Sequence, residues 1–254
     1  MIDLHCHLLP GIDDGPANMQ ESLAMAKLAV ANGITGAVVT PHIHIGRYDN
    51  TLDSIGEAYQ QFKTELERQS IPLRLGMAAE VRIGFELMQM VLNKQLPFLG
   101  ELNNNKVLLL EFPHSHIPPG SEKLISWLLD RGICPMLAHP ERNKSVISDL
   151  QKIVPFVEMG CHLQVTAGSV AGDFGQFAQM RACEMLTNGW VTILASDAHN
   201  IKSRPPALEP GRAAAANIVG DGESWRLVYD IPNKISSFFA HSTALIPDKT
   251  SMAT

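Results

Sequence analysis

Hydrophobic and polar positions along this chain repeat one phrase. A helix-spaced stretch ends at glycine, an apolar run follows, and a polar residue closes it. MQESLAMAKLAVANG leads into ITGAVVTPH, and SEKLISWLLDRG into ICPMLAHP. DLQKIVPFVEMG leads into CHLQVT, and GQFAQMRACEMLTNG into WVTILASDAH. In the first stretch Leu23, Ala26 and Val30 recur at helical spacing, as in a helix that covers a sheet. Asn18 stands where an N-cap belongs. Gly33, Gly132, Gly160 and Gly189 stand where a left-handed residue stops a helix. The apolar runs are nearly unbroken, which predicts parallel strands buried on both faces. IDLHCH, RLGMAAE near 74–80 and KVLLLEFP at 106–113 bring the set to seven strands.

Helix–glycine–strand units in series predict an α/β fold with a parallel sheet. We read it as a distorted, seven-stranded (β/α)7 TIM-like barrel. One domain spans 1–244, closed by helices in ALEPGRAAAANIVG, ESWRLVYDI and IPNKISSFFAHS, and 245–254 form a frayed tail. The loop around LPFLGELNNN is the candidate lid.

In such folds chemistry collects where strands end. Strand one ends in His5 and His7, with Asp13 and Asp14 in the following loop. The next strands end in His42, Glu80, Glu111 and His139, and the last in Asp197 and His199. The sixth strand offers Gln164, Thr166 and Ser169 instead. His5 and His7 are two apart and share a face, so Cys6 points away and packs against helices. Clustered carboxylates repel and are costly to desolvate unless cations compensate them, so the pattern predicts a site for several metal ions. His162 and His241 read as hydrogen-bonded core residues. His44, His114 and His116 read as loop residues near the mouth.

The rest of the sequence narrows the chemistry. A net charge of -6 over 254 residues gives no support for a nucleic-acid face. No run approaches the ~18 apolar residues of a membrane span, and the start MIDLHCH lacks a signal-peptide pattern, so the expected location is cytoplasmic. Cys6, Cys134, Cys161 and Cys183 show no paired spacing and read as reduced thiols. The residues six after them are Ile12, Pro140, Ala167 and Gly189, which excludes a C-x5-R phosphatase loop. P-loop and serine-hydrolase motifs are missing as well.

The ordered blocks HCH with DDGP, the Glu80 strand, LLEFP, LAHPER, LQVTAGSVAG and ASDAHN resemble the PHP (polymerase and histidinol phosphatase) superfamily. Within it they look most like the capsular-polysaccharide type of manganese-dependent protein-tyrosine phosphatase. The resemblance covers residues 1 to about 204. It implies three divalent ions, with Mn favoured and Fe, Zn, Co or Mg as alternatives. His5, His7, Glu80 and Asp197 would hold the first ion, and Glu80, Glu111 and His139 the second. Asp14, His42 and His199 would hold the third; the choice of Asp14 over Asp13 comes from the resemblance alone. Arg142 and Arg204 match phosphate-binding positions, and Arg47 is a further candidate in a segment that is more basic in the relatives.

The reaction implied is attack of a metal-bridging hydroxide on the phosphorus of a phosphotyrosine. The expected substrate is the tail of a tyrosine kinase that regulates capsular or exopolysaccharide synthesis. The runner-up is a phosphoesterase for a small monoester such as histidinol phosphate. A non-enzymatic module and an amidohydrolase-like barrel are further rivals. The first is disfavoured because every ligand position is filled, the second because no lysine stands at a strand end. A homo-oligomer is compatible with the sequence.

Overall fold

A computed structural model describes residues 1–236. His241, the expected domain end at 244 and the tail 245–254 lie outside the described residues. Ten strands run through the chain: β1 (Ile2–Cys6), β2 (Gly36–Val39), β3 (His42–Ile43), β4 (Arg74–Met77), β5 (Glu80–Arg82), β6 (Gly100–Leu102), β7 (Asn105–Glu111), β8 (Ile133–Ala138), β9 (His162–Thr166) and β10 (Val191–Ala195). They form an α/β domain in which helices separate most strands, though none lies between β2 and β3, β4 and β5, or β6 and β7. By ladder pairing there are two parallel sheets, β1-β2-β4 and β10-β9-β8-β7-β5-β3.

Each of the seven predicted runs contains a strand, but two are broken in the middle. The ITGAVVTPH run supplies β2 and β3, interrupted at Thr40–Pro41. Proline has no N–H for the ladder, and the Thr40 hydroxyl instead accepts the Cys6 N–H at 3.1 Å. The 74–82 run supplies β4 and β5, interrupted at Ala78–Ala79. Backbone hydrogen bonds continue across the breaks: Ala78 N–H donates to Val39 C=O at 2.9 Å and Glu80 N–H to Pro41 C=O at 3.1 Å. At the far side a parallel bridge joins Cys6 to Ala198, where His7 N–H donates to Ala198 C=O and Asp197 N–H to His5 C=O, both at 2.8 Å.

The expected lid is a correction. Gly100–Leu102 form β6, antiparallel to β7, and the two are joined by Asn103 and Asn104. Both asparagines have positive φ, 52° and 64°, which is the two-residue turn that matches strand twist. This hairpin sits at the N-terminal end of β7, opposite the strand ends that carry the polar residues. It packs on the last described helix, where a Cβ on Gly100 would stand 1.8 Å from Ile235 O.

Apolar residues fill two layers. Val107, Leu109, Met136, Ala138, Ile193 and Ala195 face inward in one cluster, while Leu108, Leu110, Leu137 and Leu194 pack outward under the helices. This is strict strand alternation. In β1 it is broken deliberately. Asp3 pairs with Ala37, but Cys6 pairs with Val39, so one extra residue is inserted. Ile2 and Leu4 lie in the inner cluster and Cys6 in the outer one. The bulge thus re-aims His5 and His7 above the inner core, a known use of bulges beside active sites.

Gly211, in the helix Glu209–Val219, is buried where a Cβ would lie 2.3 Å from Ala167 O. An ordinary helix gains up to about 1 kcal/mol from Gly→Ala. Here Gly211→Ala should instead cost about 1–3 kcal/mol through overpacking against backbone. Urea unfolding checks the sign: the midpoint should fall, and a raised midpoint would contradict the packing.

Candidate metal centre and active-site cleft

The polar ends of the strands converge on a cleft of about 360 Å³. Asp14, His42, Glu80, Glu111, His139, Asp197 and His199 line it, with His5 and His7 fully buried beneath. All nine residues named above as metal ligands fall into four overlapping groups. These are His5–His7–Glu80, His5–His139–Asp197, His42–Glu80–Glu111 and His7–Asp14–His42–His199. The partition differs from the expected one: Glu111 groups with His42 rather than with His139, His139 and Asp197 group with His5, and His7 joins Asp14, His42 and His199.

The innermost donors have a definite geometry. His5 Nε2 lies 3.3 Å from Glu80 Oε2 and 3.2 Å from Asp197 Oδ1. His7 Nε2 lies 3.4 Å and 3.5 Å from the same two oxygens. The two Nε2 atoms are 3.3 Å apart. These are five edges of a four-donor polyhedron. Such spacings bring nitrogen and oxygen donors close enough to share a cation. Glu80 Oε2 and Asp197 Oδ1 are also buried acceptors with no hydrogen-bond partner. Buried polar atoms rarely stay unpaired, so the donor set and its orphaned oxygens fit a divalent cation.

The neighbours of these donors fix their direction. His5 Nδ1–H donates to Gln164 Oε1 at 2.8 Å, and Gln164 Oε1 also accepts the His139 N–H at 3.2 Å. His7 Nδ1–H donates to Asp13 Oδ2 at 2.7 Å. Asp13 further accepts the N–H groups of His42 and Gly15 at 3.1 Å and 2.9 Å. Each bond leaves the Nε2 lone pair pointing into the cluster, as orienting partners of metal-binding histidines do. The adjacent aspartates therefore divide: Asp13 holds the His7 ring, while Asp14 Oδ1 lies 3.3 Å from His42 Nε2 and 3.4 Å from His199 Nε2. Tyr48 stacks on His42 with centroids 5.3 Å apart and planes 7° from parallel.

Electrostatics bear the mark of concentrated negative charge. Burial opposes protonation of His42, but Glu80 and Asp14 raise it to about 10. Burial also works against His5 and His7, yet Glu80 and Asp197 raise the first and Asp13 raises the second. Burial and Arg142 push His139 down to about 4. Burial favours protonation of Asp197, but Arg142 and His5 hold it well below the usual carboxylate range. His139 and Asp197 both carry positive φ, 34° and 51°, a backbone state that costs roughly 1–3 kcal/mol and is held by the surrounding sheet.

Arg142 and Arg204 both donate to Asp197 Oδ2 and line the cleft. The Arg142 guanidinium lies 4.8 Å from the Phe174 ring centroid. Arg47 is at the cleft rim, 5.0 Å over the Tyr48 ring. His44 and His114 line the cleft, whereas His116 pairs with Ser115 outside it. His162 is half-buried, 3.4 Å from the Thr192 hydroxyl. Sequence reasoning missed Arg82, which donates to Glu111 Oε2 at 2.8 Å. Its signal was present: it lies two residues after Glu80 on one strand and shares that strand face. Cys6, Cys134, Cys161 and Cys183 are free.

Comparison with known proteins places this arrangement. The tyrosine-protein phosphatase YwqE of Bacillus subtilis is 38% identical over 204 residues, 80% of this chain and 79% of its own. The tyrosine-protein phosphatase CpsB of Streptococcus pneumoniae is 28% identical over 240 residues, 92% and 98% of the two chains. A chain from the crystal structures of YwqE and CpsB, described as metal-dependent tyrosine phosphatases, matches with a TM-score of 0.86 at 33% identity, covering 93% of this chain and 94% of its own. A β-aspartyl dipeptidase from Fervidobacterium islandicum matches at 13% identity and a TM-score of 0.52, covering 92% of this chain and 72% of its own, a likeness of fold alone. The chain belongs to the capsular polysaccharide synthesis family CpsB/CapC, whose profile spans residues 1–237.

Proposed function

We propose that this chain is a metal-dependent phosphoric monoester hydrolase that removes phosphate from phosphotyrosine in protein. The expected substrate is the autophosphorylated tail of a tyrosine kinase in capsular or exopolysaccharide synthesis. One observation carries the reading: buried His and carboxylate donors at metal-ligand spacing share a cleft with two arginines. The names of the relatives at 38% and 28% identity support the substrate class.

We propose three divalent ions, the first held by His5, His7, Glu80 and Asp197, the second by Glu80, Glu111 and His139, and the third by Asp14, His42 and His199; the grouping of Glu111 with Glu80 and of His7 with Asp14, His42 and His199 supports shared ligands between neighbouring ions. Mixed imidazole and carboxylate ligands suit Mn, with Fe, Zn, Co or Mg as alternatives. The ions would supply Lewis acidity and charge neutralisation for in-line displacement at phosphorus. The chain's own residues do the rest. Asp13 and Gln164 hold the imidazoles in one tautomer. Arg142 and Arg204 present planar forks that can each take two phosphoryl oxygens. Arg47 is in reach of the mouth. The leaving phenol, with a pKa of about 10, needs less protonation than an alkyl alcohol.

We also infer that the two sheets make one irregular seven-stranded barrel, with the Cys6–Ala198 bridge and the hydrogen bonds across both strand breaks in support. No described helix is long and apolar enough to cross a membrane. We propose a cytoplasmic location, with no direct membrane insertion and no nucleic-acid partner. We place the domain end at 244, before a tail at 245–254, and a homo-oligomer fits the same reading.

Metal-replete protein should hydrolyse a phosphotyrosine peptide with a higher kcat/KM than histidinol phosphate. Chelation should abolish turnover and lower the melting temperature, because a bound ion stabilises only the folded state. The reverse substrate preference would favour the small-molecule reading. Arg142→Ala should keep its metal content by elemental analysis while turnover falls about a hundredfold or more, the scale of losing one transition-state donor. Unchanged turnover would remove Arg142 from the reaction. Asp13→Ala should weaken metal affinity about 10- to 100-fold, as loss of an orienting partner does. Titration with a competing chelator reads this, and an affinity equal to wild type would refute the role given to Asp13.

A further inference from the structure

Beside the polar cleft runs an apolar groove. Arg82 and His44 line both the cleft and a small pocket over Ile83 and Gly84. Ile83 and Gly84 in turn line a groove of about 500 Å³. Its two sides are extensions of the strands that carry Glu80 and Glu111. One side is the segment after β5, with Phe85 and Met88; the other follows β7, with Pro118, Pro119 and Trp127. Phe85 is 99% exposed and Met88 41%. The lining holds one cation, Lys123, and no carboxylate.

We propose that this groove binds an apolar side chain of the substrate polypeptide about three residues from its phosphotyrosine. The proposal rests on the phosphotyrosine reading above. Continuity argues for this occupant. Arg82 lines the cleft and Phe85 stands three residues further along the same segment, at most about 11 Å away. An extended peptide covers that span with about three residues. Charge argues the same way. Lys123 in the groove and Arg47 at the cleft rim complement acidic residues flanking the apolar one and disfavour basic ones. Burying Phe85 against an apolar side chain removes its surface from water, which is favourable in proportion to the area covered.

The test uses full-length, metal-replete protein and two phosphotyrosine peptides with glutamate neighbours. One carries leucine three residues from the phosphotyrosine on both sides; the other carries alanine there. Free phosphotyrosine is the reference substrate. The leucine peptide should show a kcat/KM about tenfold higher through KM, the affinity equivalent of one buried apolar side chain. Phe85→Asp should erase that preference and lower the peptide-to-free-phosphotyrosine ratio about tenfold. Met88→Ala should act in the same direction more weakly. Equal rates for the two wild-type peptides, or a preference that survives both substitutions, would overturn the proposal. So would a groove used otherwise: a dimer that Phe85→Asp dissociates in sedimentation, or anionic-vesicle binding that it abolishes, with the peptide ratio unmoved. Inactivity on free phosphotyrosine as well as on both peptides would overturn the phosphotyrosine reading and this proposal together, a result distinct from loss of peptide preference alone.

Discussion

Glu80 is the charge on which the site depends. Its side chain is 1% exposed, and four imidazoles surround it: His5, His7, His42 and His139. Asp197 is equally buried, but Arg142 and Arg204 neutralise it permanently. Glu80 pairs with no arginine or lysine among the described residues. A carboxylate so placed needs positive charge from elsewhere, because an isolated buried ion is costly. Protons on the histidines can provide it, and that is why His42 is raised to about 10, against the effect of burial, by Glu80 and Asp14. Divalent cations can provide it too, while leaving the rings neutral and their lone pairs in use. The carboxylate field is the same in both cases, and Glu80 Oε2 and Asp197 Oδ1, buried without a hydrogen-bond partner, fit a cation as well as a proton.

That requirement explains several irregularities of the scaffold. A regular β1 would carry Leu4 and Cys6 on one face and alternate the histidines against it; the inserted residue between Asp3 and Cys6 turns the strand so that both histidines overlie the inner core. The break at Thr40–Pro41 sets His42 at the start of a separate short strand, where its N–H is free to bond Asp13. The left-handed residues His139 and Asp197 end β8 and β10. The bulge re-aims two donors and each other departure one, and the regular apolar layers below hold them in place.

The sequence disclosed most of this because the same period that builds the sheet also sorts the donors. Apolar runs ending in glycine-stopped helices marked seven strand regions, and the donors lay at their ends. What escaped notice lacked a period. Asp13 and Asp14 are adjacent in a loop, where no alternation tells which side chain faces the cluster. Gln164 stood out as the odd strand end, but its role needs the three-dimensional neighbour, His5. The hairpin at Asn103–Asn104 is hard to see in LPFLGELNNN because its turn lacks the glycine that usually signals two positive φ angles. The strand breaks followed from tertiary bonding: the threonine–cysteine contact spans 34 positions.

Selectivity cannot come from the metal cluster itself. In the proposed reaction every phosphate monoester would offer the same phosphoryl oxygens to the arginines and cations, so discrimination would arise at the leaving group and beyond it. At the leaving group, His114 is the kind of cleft residue that would serve as an acid, yet burial and Lys144 lower its proton affinity. A poorly protonated imidazole gives little help to an alkoxide, whereas a phenolate can depart with less. Beyond the leaving group, Arg47 stands at the cleft rim, and Phe85 and Met88 line the apolar groove beside it. On the proposed reading, the first filter would act on kcat and the second on KM. Because they act on separate parts of the substrate, their free energies add and their selectivities multiply, so a cleft built around a non-selective cluster can still prefer one phosphorylated side chain in one kind of peptide.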